Sequence, residues 1–224
     1  MYAYPWDLDD HGVEESLDTL QDCAFEAVQL SFSYHIATYL TPRNPKRRVR
    51  FGEQGMLQFD PGVLPAGAWP FAPFVSADVA GTNYVTRLLR AIADRDLRTI
   101  AWVVFLYNHT LARAKPDLAV ENAFGDRHGA QLCPANPDVR AYALALTQGV
   151  TSHGPLWGLV AESLSYLPYD YGFLNLKAAV APETTTSILL SLCFCSHCRR
   201  AGLDDGIDVD RLRDAVRNTI DSDL

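Results

Sequence analysis

The chain has no apolar run long enough to cross a membrane, and its first residues lack the basic-then-apolar pattern of a secretory leader. With thiols expected to be reduced, those absences predict a cytoplasmic protein with no membrane partner. Basic charge is scarce as well: 19 Lys and Arg stand against 27 Asp and Glu, for a net charge of −8. Nucleic acid is therefore not an expected partner. The one basic run (Arg43, Lys46, Arg47, Arg48, Arg50) is broken by Pro42 and Pro45 and reads as a solvated loop. Cysteine is rare too, with five in 224 residues, which argues against a disulfide scaffold. No glycine-rich turn follows the first apolar run, so a doubly wound sandwich is only the second choice of fold.

Three of those five cysteines fall within six positions, in Leu192-Cys193-Phe194-Cys195-Ser196-His197-Cys198. A C-x-C-x-x-C turn offers three soft sulfur ligands from one tight loop, and Zn²⁺ takes four such ligands tetrahedrally in closed structural sites. Cys133 is the first choice for the fourth ligand and His197 competes with it. With all four positions filled by protein, the metal is structural, because no position is left for an activated water. A reduced cysteine cluster packed near Phe194 is the plainer alternative. Cys23, at the end of a helical pattern, reads as a core residue.

With 48% hydrophobic residues, the chain can bury a core as a single domain over residues 1–224. Four units repeat one pattern: an apolar strand-like run, a loop, then a helical stripe. The predicted strands are Tyr2 to Leu8, Ala27 to Tyr34, Thr99 to Tyr107 and Leu156 to Ala161, the last followed by Glu162. The predicted helices run from Gly12 to Ala24, Asn83 to Arg95 and Asp138 to about Val150, with a polar one from Asp208 to about Ile220. Long excursions cover His35 to Gly81 and Asn108 to Pro137. This alternation implies βαβ crossovers and a parallel sheet. Long loops after strands and short ones after helices match the working face of a (β/α)₈ barrel, which typically needs about 250 residues. The expected fold is therefore α/β, a partial (β/α)₈ TIM barrel of about four βα units.

Strand ends in such a barrel gather at one rim. The candidates there are Trp6 and Asp7, Tyr34 and His35, and Tyr107, Asn108 and His109, for binding a carbohydrate, with Glu162 as a general acid. Aromatic rings beside hydrogen-bonding groups suit a sugar, and a carboxylate desolvated by such rings is a plausible proton donor. Trp69 and Tyr166 are further candidate stacking surfaces. His11 and His153 read as helix-flanking surface residues, and His128, in the Gly-rich loop Gly125 to Gly129, as an exposed loop residue, with a residue able to move over a pocket as the alternative.

These residues carry a resemblance. Cys133 in the third loop, with C-x-C-x-x-C after the fourth strand, resembles the zinc-binding microbial β-galactosidases of the large retaining (β/α)₈ glycosidase clan. The segment from Leu132 to Tyr142 and the opening Asp10-to-Leu20 pattern are similar to phrases in uncharacterised barrel relatives. The resemblance implies that Glu162 holds the place of the clan's general acid/base. It also implies a nucleophile from a seventh strand, which this chain lacks, and an asparagine where Ala161 stands. The expectation is the N-terminal half of a carbohydrate-active barrel, incomplete for catalysis alone. The alternatives are a non-catalytic zinc-stabilised domain binding carbohydrate or protein, and a homo-oligomer pairing two half-barrels.

Overall fold

The computed structural model describes residues 1–34, 37–52, 55–172, 177 and 182–223. In chain order, its first half holds β1 (Tyr2–Ala3), α1 (Pro5–His11), α2 (Val13–Asp22), β2 (Ala27–Tyr34), β3 (Thr38–Leu40), β4 (Val49–Phe51), β5 (Met56–Leu57), α3 (Tyr84–Ala93) and β6 (Arg98–Val104). The second half holds α4 (His109–Ala114), β7 (Ala119–Glu121), β8 (Arg127–Leu132), α5 (Pro137–Thr151), β9 (Gly158–Glu162), α6 (Thr184–Leu190), α7 (Ser196–Asp204) and α8 (Val209–Asp223).

The fold is mixed α/β. Its centre is a parallel sheet in the order β1-β2-β6-β9, with β5 antiparallel to the end of β2. The four parallel strands are neighbours in the order in which the chain makes them. The sheet is open: among the described residues β9 has no second neighbour, and no closed barrel forms.

One sheet face is the core. Val28, Leu30 and Phe32 alternate along β2 and are fully buried, with Ala101 and Val103 of β6 beside them. The helices bring matching stripes. On α3, Val85, Leu88, Leu89 and Ile92 recur at helical spacing, and on α5 Val139, Tyr142, Leu146 and Val150 do the same. Each large side chain so buried contributes about 1.5–3 kcal/mol. The opposite face carries Tyr2, Ser31, Trp102, Val104, Val160 and Glu162, related by the ladder pairs Ser31↔Trp102↔Val160 and Val104↔Glu162. This second face is only partly covered; Tyr2 is 69% and Val160 40% exposed.

A smaller core holds the C-terminal helices. Phe194, Val209, Val216 and Ile220 pack with Ala123 of the β7–β8 turn. None of the described helices is long and apolar enough to cross a membrane.

Several expectations need correction. The first strand stops at Ala3, and residues 5–11 are helical. Pro5 is set for a helix start, and Asp7 Oδ2 accepts from Tyr4 N at 2.9 Å, so local capping outweighs the aromatic run. The loop after the third predicted strand is not irregular: it forms α4 and the β7–β8 hairpin. Cys23 is exposed, not core. His153 is buried rather than on the surface, with Nδ1 2.9 Å from Thr86 Oγ1 and its ring edge-on to Phe59. The basic run is solvent-exposed as expected at Arg43, Lys46, Arg47 and Arg48, and it is also anchored, because Lys46 and Arg47 pair with the buried Asp10.

Candidate functional site

Two constellations stand out, one of sulfur and one of aromatic rings around a carboxylate. The first brings Cys133 to Cys193, Cys195 and Cys198. Cys133 directly follows β8, is fully buried, and donates its backbone N–H to Leu118 O. Cys195 is the N-cap of α7, which lifts Cys198 onto the first turn of that helix. From Cys133 Sγ the other sulfurs stand at 3.4 Å (Cys198), 3.5 Å (Cys195) and 3.8 Å (Cys193). All four sulfurs lie within 4.8 Å of one another. Sulfurs bound at about 2.3 Å to one tetrahedral Zn²⁺ stand about 3.8 Å apart, so the set fits a metal of that kind. The thiols are free, with no disulfide among them. His197 is outside the set.

Crowding also divides the protons. Hydrogen bonding with its neighbours, Cys193 first, pulls Cys133 down to about 7 and holds Cys195 lower still. The same contacts push Cys193 and Cys198 up. A cation among them would favour the thiolate at all four. Around the sulfurs, Glu121 N donates to Cys193 Sγ at 3.5 Å, and the Tyr166 hydroxyl lies 3.1 Å from Cys198 Sγ. Tyr166 therefore belongs to the sulfur cluster, not to a sugar-stacking wall. Trp69 is likewise engaged elsewhere, packed on the main core with its indole N–H donating to Pro61 O at 3.3 Å.

The second constellation is on the open sheet face. Glu162 ends β9 beside Val104, and its Oε2 accepts from Trp102 Nε1 at 2.6 Å. Trp102 meets Tyr34 edge-on at 4.7 Å and Tyr2 at 5.5 Å. Tyr34 in turn meets Tyr4 at 5.4 Å, and Tyr4 stacks on Trp6 at 4.5 Å. Burial raises the Tyr34 phenol above its usual value, Tyr4 hydrogen bonding opposes this, and the Glu162 charge adds to the rise. Val104 and Tyr107 share an apolar cluster against which Tyr34 and Tyr171 pack. Gly172, at φ +78°, lets the loop after β9 pass over the Tyr107 hydroxyl, where a Cβ would collide.

Directly after Glu162, Ser163 sits at φ +55°, a conformation non-glycine residues rarely adopt. Its amino-acid neighbours hold it there: Leu106 N bonds to Ser163 O at 3.0 Å and Phe105 N to Glu162 O at 2.9 Å.

The other predicted residues divide. Trp6 is buried, stacked by Tyr4, with the Arg50 guanidinium 3.9 Å from its ring centre, so its surface is already occupied. Asp7 caps α1, and burial, the largest cause, raises its pKa against the opposing pull of that hydrogen bond. Asn108 is the N-cap of α4, its Oδ1 accepting from Leu111 N at 2.9 Å and its Nδ2 donating to Gly55 O at 3.1 Å. His109 is buried edge-on to Tyr107 at 5.1 Å. His35 lies outside the described residues. Trp102 and Tyr4, together with Tyr39, which meets Tyr4 edge-on at 4.8 Å, are members of the aromatic constellation that the strand-end pattern did not mark. Trp102 was within reach, because two positions before Val104 on a strand means the same face.

No protein-family model matches the chain, and no curated protein sequence matches it. Solved structures are similar at low identity. Over 92% of its length the chain is similar to α-L-fucosidase isoenzyme 2 from Paenibacillus thiaminolyticus, at 11% identity and a TM-score of 0.54. That match takes up 24% of the fucosidase chain. A hypothetical protein from Ruminiclostridium thermocellum aligns at 18% identity over 73% of this chain and 75% of its own, with a TM-score of 0.48. A noncanonic maltogenic α-amylase from Thermotoga neapolitana aligns at 11% identity over 70% of this chain and 35% of its own, with a TM-score of 0.43. The fucosidase match establishes a glycoside-hydrolase-like fold and nothing finer.

Proposed function

We propose that this chain forms the first half of a glycoside-hydrolase-type barrel and carries one side of a carbohydrate-directed site, with Glu162 as the general acid/base. What supports this reading above all is Glu162 itself, at the end of a parallel strand, bonded by an indole N–H at 2.6 Å and flanked by tyrosines. Trp102 and Tyr34 supply apolar ring surface for a sugar, and Tyr171 packs beside them on the buried Tyr107. The strained backbone at Ser163 is the kind of feature that collects at functional sites. The four cysteines would hold a structural Zn²⁺, whose chemistry is that of a cross-link between the loop after β8 and the start of α7.

Retaining hydrolysis needs a second carboxylate about 5–5.5 Å from the first. Of the four parallel strands, only β9 ends on one. That observation favours a second reading, a non-catalytic, metal-stabilised carbohydrate- or protein-binding domain. The two readings share the aromatic face and differ in turnover.

Titration calorimetry with neutral oligosaccharides, beside hydrolysis of aryl glycosides, tests both. Wild-type protein should bind, and Trp102→Ala should weaken binding at least about tenfold. Glu162→Gln should retain binding and melting temperature and abolish any hydrolysis, since the amide oxygen still accepts from Trp102. Binding without turnover selects the second reading; no saturable binding by the folded wild type ends both. Elemental analysis should find one zinc per chain, and Cys133→Ser should lose it.

A further inference from the structure

The basic run has a place in the fold that its sequence did not suggest. It connects β3 to β4 and lies across α1, where Lys46 bonds to Asp9 at 3.0 Å and to Asp10 at 3.3 Å. Arg47 reaches Asp10 at 3.6 Å, and Asn44 Nδ2 donates to the same carboxylate at 2.8 Å. Between this run, α1, the segment from Gln58 to Thr82 and the start of α3 lies a cavity of about 260 Å³. Trp6, Asp10, Lys46, Gln58, Tyr84 and Arg87 are among the residues that form its wall.

Two groups in that wall are unanswered. Gln58 is 5% exposed, yet its Oε1 accepts no hydrogen bond. A buried acceptor without a donor is uncommon in folded proteins and calls for an explanation such as a ligand. Arg87 has no ion pair among the described residues, whereas the neighbouring Lys46 and Arg47 are held by Asp9 and Asp10. Arg87 rises from the first turns of α3, a ten-residue helix whose N-cap, Asn83, gives no side-chain cap. The positive end of that helix adds to the pull on an anion. The wall also carries Asp9, Asp10 and Asp78, but these are held by Lys46, Arg47 and Arg50, which leaves Arg87 as the cation of the wall without a carboxylate partner among the described residues.

An unmet acceptor calls for a hydroxyl, and an unpaired guanidinium calls for an anionic oxygen. We propose that this cavity binds a small hydroxylated anion of about monosaccharide size. Its carboxylate or phosphate meets Arg87 and the start of α3, and a hydroxyl donates to Gln58 Oε1. Binding here stands independently of Glu162, which belongs to the open sheet face.

The test is calorimetric titration of the full chain with D-glucuronate and with D-glucose 6-phosphate, using D-glucose and inorganic phosphate as controls. One of the two anionic sugars should bind saturably, which distinguishes carboxylate from phosphate. Both controls should bind at least about tenfold more weakly. Arg87→Ala should weaken the anionic sugar by a similar factor, Arg87→Lys should restore part of it, and Glu162→Gln should leave it unchanged. Gln58→Met should weaken it as well, but Arg87 is exposed and its variants fold regardless, so the arginine series decides. No saturable binding of either anionic sugar overturns the proposal. So does phosphate binding as tightly as glucose 6-phosphate, or an affinity that ignores Arg87→Ala or collapses with Glu162→Gln.

Discussion

Asn108 fastens two distant pieces of chain with one side chain. Its oxygen caps α4 and its amide reaches Gly55 O, while Gly55, at φ +60°, leaves room where a Cβ would strike the asparagine. Replacing it by alanine removes a cap, at about 1 kcal/mol, and a buried hydrogen bond of similar size. Urea unfolding of Asn108→Ala should therefore show a loss of about 2 kcal/mol, and Asn108→Asp should lose at least as much despite keeping the cap, because it sets a buried carboxylate oxygen against Gly55 O. The same residue shows why a ligand role was the natural reading: the side chains that suit a sugar hydroxyl also suit a helix N-terminus, and only the fold chooses. His128 is a comparable case. Its Nδ1 accepts from Ala130 N at 3.1 Å and Gln131 N at 3.0 Å, so the proton sits on Nε2, which donates to Tyr169 O at 3.0 Å. Burial lowers its pKa, and the Tyr169 carbonyl opposes only in part. Since the folded value lies below the ordinary one near 6.5, acid favours the unfolded chain. The stabilisation is complete above the unfolded value and declines as pH falls through it toward the folded one. His153 is lowered by burial too and contributes with the same sign. Stability measured from about pH 7 to pH 5 should fall less steeply in His128→Asn than in the wild type. Equal slopes would remove His128 from the acid response.

At the scale of elements, the helices α6 to α8 have a small core of their own and lean on the β7–β8 hairpin. Arg213 and Arg217 both donate to Ala123 O, at 2.6 and 2.7 Å, and Phe194 N bonds to Glu121 O at 2.6 Å. Among the described residues that core has five buried side chains with Leu189 and Leu190 packed against it, a small core for three helices without the sulfur cluster beside it. Hydrogen exchange on Cys133→Ser should show faster exchange throughout α6–α8, while the amides of β2 and β6 keep their protection. Uniform loss across the sheet would mean that the cluster supports the whole domain instead. The longer elements were legible. The β2 alternation predicted Ala27–Tyr34 and the fold has that strand, and the apolar stripe of α3 located its helix to within two residues at either end. The β7–β8 hairpin and α4 were not legible, because three to six residues carry too little periodicity to separate from a loop.

For the molecule as a whole, the open sheet decides the behaviour in solution. Its uncovered face presents Tyr2 and Val160, and Trp157, just before β9, is 66% exposed. A parallel edge with no neighbour among the described residues, next to apolar surface, invites association. Sedimentation velocity should show self-association that grows with concentration and weakens in Val160→Lys. A monomer at every concentration would mean that this face tolerates water as it stands.

The sequence alone determined the order of the four strands, the longer helices α2, α3 and α5 between them and the turn bearing three cysteines, because these depend on neighbours a few positions apart. Only the tertiary structure decided between Cys133, 60 residues away, and His197 as the fourth group at that turn, and set Glu162 beside Trp102. It also turned a basic loop onto α1 and engaged Trp6 and Asn108 within the fold. Those outcomes depend on which strands lie side by side and on which polar group reaches an unsatisfied partner first. Such contacts form between surfaces distant in the chain, and local pattern carries no record of them.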